Sequence, residues 1–200
     1  LYAFCGNNGV GLYDVNGQFA LADYIVLLAA GKLFWMGVID VYMLPRNLIV
    51  TADLLLHSLR LFPDDRTFGE GDLITMLMQR SPNYKDSLKK LEQNQQEKFK
   101  RYDDKKDPVE FKDHDLATAV AHADVYYSGT ICKKSNTSAT VKLDVTVKDT
   151  YDFHWKNSDE MKDWLLRYGN NAARISQCLY IIKTYKWEAT FHESRWLLNN

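Results

Sequence analysis

The strongest constraint on the fold is an alternation in the last third of the chain. Val141, Leu143, Val145 and Val147 alternate with Lys142, Asp144, Thr146 and Lys148. A strand presents successive side chains to opposite faces, so this segment predicts a strand with one face buried. Tyr151 and Phe153 keep the phase. Tyr185, Trp187, Ala189 and Phe191 alternate in the same way with Lys186, Glu188 and Thr190, which predicts another strand. Between the two, Met161, Trp164, Leu165, Tyr168, Ala172, Ile175, Leu179 and Ile182 recur at helical spacing. That stripe makes an amphipathic helix, with Gly169-Asn170-Asn171 as a candidate break. An earlier strand is expected over Asp124–Ile131, and a turn near Lys133–Ser138.

A half-buried sheet needs a covering layer, and the segment upstream reads as helical. The most apolar stretch is Tyr24–Leu44, interrupted by Gly31, Lys32, Gly37 and Asp40. It is long enough to span a bilayer. A lysine and an aspartate near the middle of a span cost on the order of 2.5–3.5 kcal/mol each, so a soluble core helix or a surface-docking helix is the preferred reading. A second apolar helix, opened by Pro45, is expected over Asn47–Leu61. Lys85, Lys89, Lys90, Lys98, Lys100 and Arg101 surround a thin stripe of Leu88, Leu91, Phe99 and Tyr102, which predicts a solvated helix over 85–106 ending near Pro108. The fold class is therefore α+β: N-terminal helices followed by a small, mainly antiparallel sheet with a packed helix. Residues 1–17, rich in Gly and Asn, read as a linker; 18–110 as a helical region; 111–200 as an α+β region.

The 200 residues suit one domain, and 46% hydrophobic with 26% charged residues is ordinary globular usage. A formal net charge of -1 leaves no bulk electrostatic footprint for nucleic acid, which is not an expected partner. Cys5, Cys132 and Cys178 are far apart and lack C-x-x-C spacing, so they read as buried or incidental thiols. The chain opens on Leu1 without a charged leader or a small-residue cleavage site, and its targeting signals are expected elsewhere in a longer protein. G-x-x-x-x-G-K-[ST], G-x-G-x-x-G, G-x-S-x-G and H-E-x-x-H are all absent from the sequence.

The chemistry-bearing candidates cluster around Asp149-Thr150-Tyr151-Asp152-Phe153-His154. On strand geometry Asp149, Tyr151 and Phe153 share a face with Val145 and Val147, while Asp152 and His154 point to the other. Asp149 and Asp152, three residues apart at a strand end, are candidate oxygen ligands for a hard cation such as Mg²⁺, and His154 is a candidate general acid or base. The same residues are open to a plainer reading, in which both aspartates cap the turn before the next helix and the two aromatics are core. His57, His114, His122 and His192 have no second ligand at metal spacing and read as surface or satisfied core. Arg167 and Arg174 follow on the helix as candidate partners for a pyrophosphate or as part of its solvated face.

Two resemblances bear on these residues. Leu1-Tyr2-Ala3-Phe4-Cys5-Gly6-Asn7-Asn8, followed by Asp14-Val15-Asn16-Gly17, resembles the end of the core of bacterial Rhs/YD-repeat proteins, with Gly9 and Val15 where proline is usual. That resemblance implies a variable C-terminal toxin domain, self-cleavage near Gly17, an immunity protein as partner and secretion for interbacterial competition. From about Ala52 to Phe191 the chain is similar to the catalytic domain of the colicin M family of lipid II-degrading bacteriocins. The matching islands are Leu55-Leu56-His57-Ser58-Leu59, Asp115-Leu116-Ala117-Thr118-Ala119, Asp124–Thr130, the D-x-Y-D-F segment Asp149–Phe153, and Tyr185–Phe191. The family's adjacent His-Arg pair is replaced by Ser158-Asp159.

This second resemblance implies an Mg²⁺-dependent hydrolase acting on lipid-linked peptidoglycan precursor in the periplasm of a target bacterium. Asp149 and Asp152 would position metal or water, Tyr151 would orient the site, and His154 would carry a proton. The apolar stretch would add a membrane surface contact. The alternatives are a catalytically inactive or membrane-perturbing toxin domain, or a nuclease toxin.

Overall fold

The computed structural model describes residues 21–93, 99–133, 138–154 and 164–198. The Rhs-like motif, Cys5 and Ser158-Asp159 lie outside the described residues, as does most of the expected turn after Lys133. The helices are α1 (Leu21–Val38), α2 (Ile49–Ser58), α3 (Leu73–Arg80), α4 (Pro82–Gln93), α5 (His114–Ala119) and α6 (Trp164–Cys178). The strands are β1 (Arg66–Phe68), β2 (Phe99–Glu110), β3 (His122–Lys133), β4 (Ser138–Tyr151) and β5 (Tyr185–Leu198). The fold is α+β with helices first, as the patterning predicts. The chain divides into a helical unit (1–46, 52–63 and 152–185) and a sheet unit (47–51, 64–151 and 186–200).

In the sheet unit the five strands are ordered β1-β5-β4-β3-β2. The pairs β2/β3 and β3/β4 are antiparallel, and β1 pairs with β5 in parallel, Arg66 opposite Trp187 and Phe68 opposite Ala189. Between β4 and β5 the contacts Asp144–His192 and Lys148–Glu188 run in opposite chain directions, so this pair is antiparallel too. The alternation predicted from the sequence lines the core: Val125, Tyr127, Val141, Val145, Val147 and Ala189 are all at most 1% exposed. Helix α4 covers this face with Tyr84, Leu88 and Leu91, the Tyr84 ring meeting Phe191 edge-on at 5.5 Å. Gly129 makes room for the close approach of β3 and β4; its φ is 137°, and a Cβ there would come within 2.3 Å of the Lys142 carbonyl.

The solvated helix expected over 85–106 is a correction. Helix α4 ends at Gln93, and 99–110 form β2, an edge strand. Only Tyr102 and Val109 of β2 are buried; between them Asp103, Asp104, Lys105 and Lys106 face solvent, while Asp107 is half-buried against Ser87 of α4. Such charge is how an exposed strand edge resists further pairing, and it reads in sequence like the wet face of a helix. Pro108 is tolerated because an edge strand has one side without ladder bonds. A register shift between Tyr102 and Lys105 carries Asp104 at φ 46°, held by reciprocal bonds with the Ser128 hydroxyl.

Helix α2 is shorter than expected, and Pro45 sits in a 3-10 turn before it. Its start is set by Asp115, whose carboxylate accepts the backbone N–H groups of Val50 and Thr51 at 2.8 and 2.9 Å and the Thr51 hydroxyl at 2.7 Å. A carboxylate there satisfies orphan donors and the positive helix end together.

In the helical unit α6 runs unbroken through Gly169-Asn170-Asn171. Trp35 of α1 donates its indole N–H to Ser176 Oγ at 2.9 Å, and Gly31 lies directly against Ile181. His57 is 6% exposed and stacks edge-on against Tyr185, a core histidine. Helix α1 is not a core helix: the apolar window Ile25–Arg46 spans 22 residues at mean hydropathy 1.7, and 11% of it is buried. Cys178 is disulfide-bonded, which corrects the reading of three buried or incidental thiols, while Cys132 is free.

Candidate functional site

The D-x-Y-D-F segment straddles the division between the units, which falls between Tyr151 and Asp152. Asp149 and Tyr151 close β4 in the sheet unit. Tyr151 is 5% exposed and keeps the inward phase of Val145 and Val147. Asp149 shares that phase at the rim, half-buried, and its carboxylate accepts the Thr150 N–H at 2.8 Å. The strand stops at Tyr151, so Phe153 and His154 lie beyond the alternation that the sequence extends to them.

In the helical unit Asp152 and His154 come together, Oδ1 to Nδ1 at 3.6 Å, with the histidine side chain 74% exposed. The following backbone is tied to α6: the Phe153 N–H donates to Gln177 Oε1 at 2.9 Å, and Asn170 Nδ2 donates to the His154 carbonyl. Arg167 and Arg174 are both partly exposed on α6, and the Arg167 guanidinium lies over the Tyr168 ring.

The register of the sheet gathers charged residues around Asp149. The end of β4 meets the starts of β3 and β5, and β1 adds alongside β5 at the same edge. The result is a depression of about 390 Å³ lined by Asp149, Thr150, Lys148, Asp124, Asp65, Arg66, Lys186 and Glu188. Lys148 pairs with Glu188 at 3.1 Å, and Asp124 pairs with Lys106 at 2.7 Å. The hydrogen bond to Asp124 holds the Lys106 ammonium above its ordinary pKa, against a smaller opposing effect of desolvation. The Lys186 N–H donates to Asp65 Oδ1 at 2.9 Å, which ties β5 to the approach to β1.

Arg66, Lys148 and Lys186 give this edge three cations of the kind that hold phosphate oxygens. The same depression holds four carboxylates: Glu188 is paired with Lys148 and Asp124 with Lys106, and Asp65 and Asp149 complete the set. Among the described residues no group of three or more His, Cys, Asp or Glu gathers as a metal-holding set. A hard cation held by one or two carboxylates, several waters and phosphate oxygens needs no such set, so the donor chemistry of Asp149 fits Mg²⁺ bound together with a phosphate.

Sequence reasoning misses the contribution of Asp65 and Arg66, because a three-residue strand has no periodicity to detect. It reads Lys148 and Glu188 only as outward positions of alternating segments and Asp124 only as the start of an expected strand; their convergence depends on strand register. It also misses a buried network under α4. The Ser87 hydroxyl donates to Asp107, and the Tyr127 hydroxyl lies 2.8 Å from Ser87 Oγ. Burial pushes the Tyr127 hydroxyl well above its ordinary pKa, so it stays protonated and serves packing.

A scan of family models, a search of curated proteins and a search of solved structures each find no match to this chain.

Proposed function

We propose that the chain is the C-terminal effector domain of an Rhs-repeat protein, hydrolysing undecaprenyl-pyrophosphate-linked peptidoglycan precursor in the periplasm of a target bacterium. The observation that carries this reading is Asp149 of the D-x-Y-D-F segment at the rim of a depression bearing Arg66, Lys148 and Lys186. Those cations suit a pyrophosphate, and Asp149 suits the hard cation that accompanies it. Mg²⁺ bound there would neutralise phosphate oxygens and acidify bound water. In the reaction one water adds to phosphorus at the lipid–pyrophosphate linkage, the polyprenyl oxygen leaves with a proton, and the pyrophosphate stays on the sugar product. Asp152 and His154 enter through the colicin M resemblance, as positioning carboxylate and proton carrier. The disulfide at Cys178 supports export, because such bonds persist in oxidising compartments.

The test is growth of a bacterial host making the chain in the cytoplasm or exporting it, beside Asp149→Ala and Asp152→Ala. Killing only on export, lost with either substitution, is the expected result. Killing from the cytoplasm would redirect the search toward a nuclease or another internal target.

A second reading, a membrane-perturbing toxin, is favoured by the outward apolar face of α1. Dye leakage from vesicles, lost in Leu33→Asp while killing survives Asp149→Ala, would replace the hydrolase with that reading.

A further inference from the structure

Helix α1 turns a narrow side inward and a broad apolar side outward. Leu28, Gly31, Lys32, Trp35 and Val38 are its more covered positions, and Ile39 of the π-helical turn Ile39–Met43 that follows continues that side. On the other side Ile25, Val26, Leu33, Phe34 and Met36 are exposed, Leu33 by 67%, and Val41 in the turn after the helix is 77% exposed. Ala29, Ala30 and Gly37 fill the gaps. From Ile25 to Gly37 the outward side carries no charge, and the next acid is Asp40, exposed in the turn after the helix. An apolar face of this extent marks a surface that something covers.

The rim indicates what covers it. The contact of Gly31 with Ile181 brings the turn after α6 beside the middle of α1, and Lys183 follows in that turn. Burial lowers the pKa of Lys183, and the nearby charge of Lys32 lowers it further, so two cations share this flank of the apolar face. Lys183 stacks on the half-exposed Tyr180 at 4.8 Å. Beyond the end of α1, Arg46 stacks on Tyr42 at 4.0 Å. Apolar side chains flanked by lysine, arginine and tyrosine are the composition of a helix lying in a bilayer interface, where aromatic and basic groups sit at headgroup level. Lys32, in the middle of the apolar window, argues against a span.

We propose that α1 docks flat on an anionic lipid bilayer, its Ile25–Gly37 face entering the acyl boundary while Lys32, Lys183 and Arg46 meet lipid phosphates. This surface lies in the helical unit, and its binding is read without any hydrolysis.

The test is sedimentation of the full chain with vesicles of phosphatidylcholine alone or with about one-third phosphatidylglycerol, which contain no peptidoglycan precursor. The chain is expected to bind the anionic vesicles and to lose binding in high salt, because polybasic attraction is screened within a Debye length. Phe34→Asp and Val41→Asp change exposed positions and are expected to fold, checked by thermal melting; each is expected to weaken binding about tenfold or more. Lys183→Gln and Lys32→Gln are each expected to weaken it about fivefold on anionic vesicles only. Equal binding to both vesicle types, absence of binding, or a dimer in ultracentrifugation that Phe34→Asp disperses would overturn the proposal. Loss of binding with killing intact would remove the docking surface and leave the hydrolase reading standing.

Discussion

The two units use apolar residues in opposite ways. In the sheet unit the alternating valines of β4 and their neighbours on β3 and β5 are sealed beneath α4. In the helical unit α1 is richer in apolar residues than any strand, yet only Trp35 and Ile39 are buried among its described side chains and the turn after it. Hydrophobicity alone therefore does not separate core from surface here. The difference lies in patterning: a period-two alternation specifies one face to bury, whereas a helix apolar on all but a narrow flank leaves apolar residues outside however that flank packs. The sheet's apolar residues serve folding, and those of α1 are left for a partner.

That contrast can be broken by substitution, beginning with the largest effect. Leu88→Ala in α4 is expected to cost about 2–5 kcal/mol in denaturant unfolding, since Leu88 is fully buried over the sheet, whereas Leu33→Ala on α1 is expected to cost less than about 0.5 kcal/mol. Similar losses at both would show that α1 is covered in solution. Ser87→Ala is expected to cost about 1–3 kcal/mol, because it removes a partner from the buried Tyr127 hydroxyl and from Asp107. A neutral result would mean that water replaces the serine.

Asp115→Ala is expected to cost about 1 kcal/mol through the lost cap on α2, visible as a lower melting temperature. The smallest effect concerns Lys183. Its folded-state pKa is lowered, so the protonated form costs the folded state, and wild-type stability should rise as pH climbs through the lysine range until the unfolded side chain also deprotonates near 10.5. Lys183→Met is expected to melt slightly higher than wild type at neutral pH, with the gap closing toward that pH. A gap independent of pH would mean that the lysine is not strained in the fold.

Legibility of the sequence follows the same division. β3, β4 and β5 were readable because Val125, Val141–Val147 and Trp187–Phe191 alternate between a dry and a wet face, and α6 because its stripe is helical. β2 was not, since an edge strand with two buried residues carries almost no period, and Pro108 imitates a helix stop. The start of α2 was misplaced because its cap is Asp115, distant in sequence. At the candidate site Asp149 and Tyr151 could be located from the alternation. Arg66, Lys186 and Glu188 could not, because the register that brings strand ends together is a tertiary property.

The functional proposal reduces to whether the chain cuts a polyprenyl pyrophosphate. Purified chain mixed with lipid-linked peptidoglycan precursor in detergent and Mg²⁺, with free polyprenol measured by extraction and chromatography, tests it directly. The expected result is polyprenol release that stops with a chelator and in Asp149→Ala but persists in Phe34→Asp. Absence of product from a folded, monodisperse chain, or release unchanged in Asp149→Ala, would contradict it.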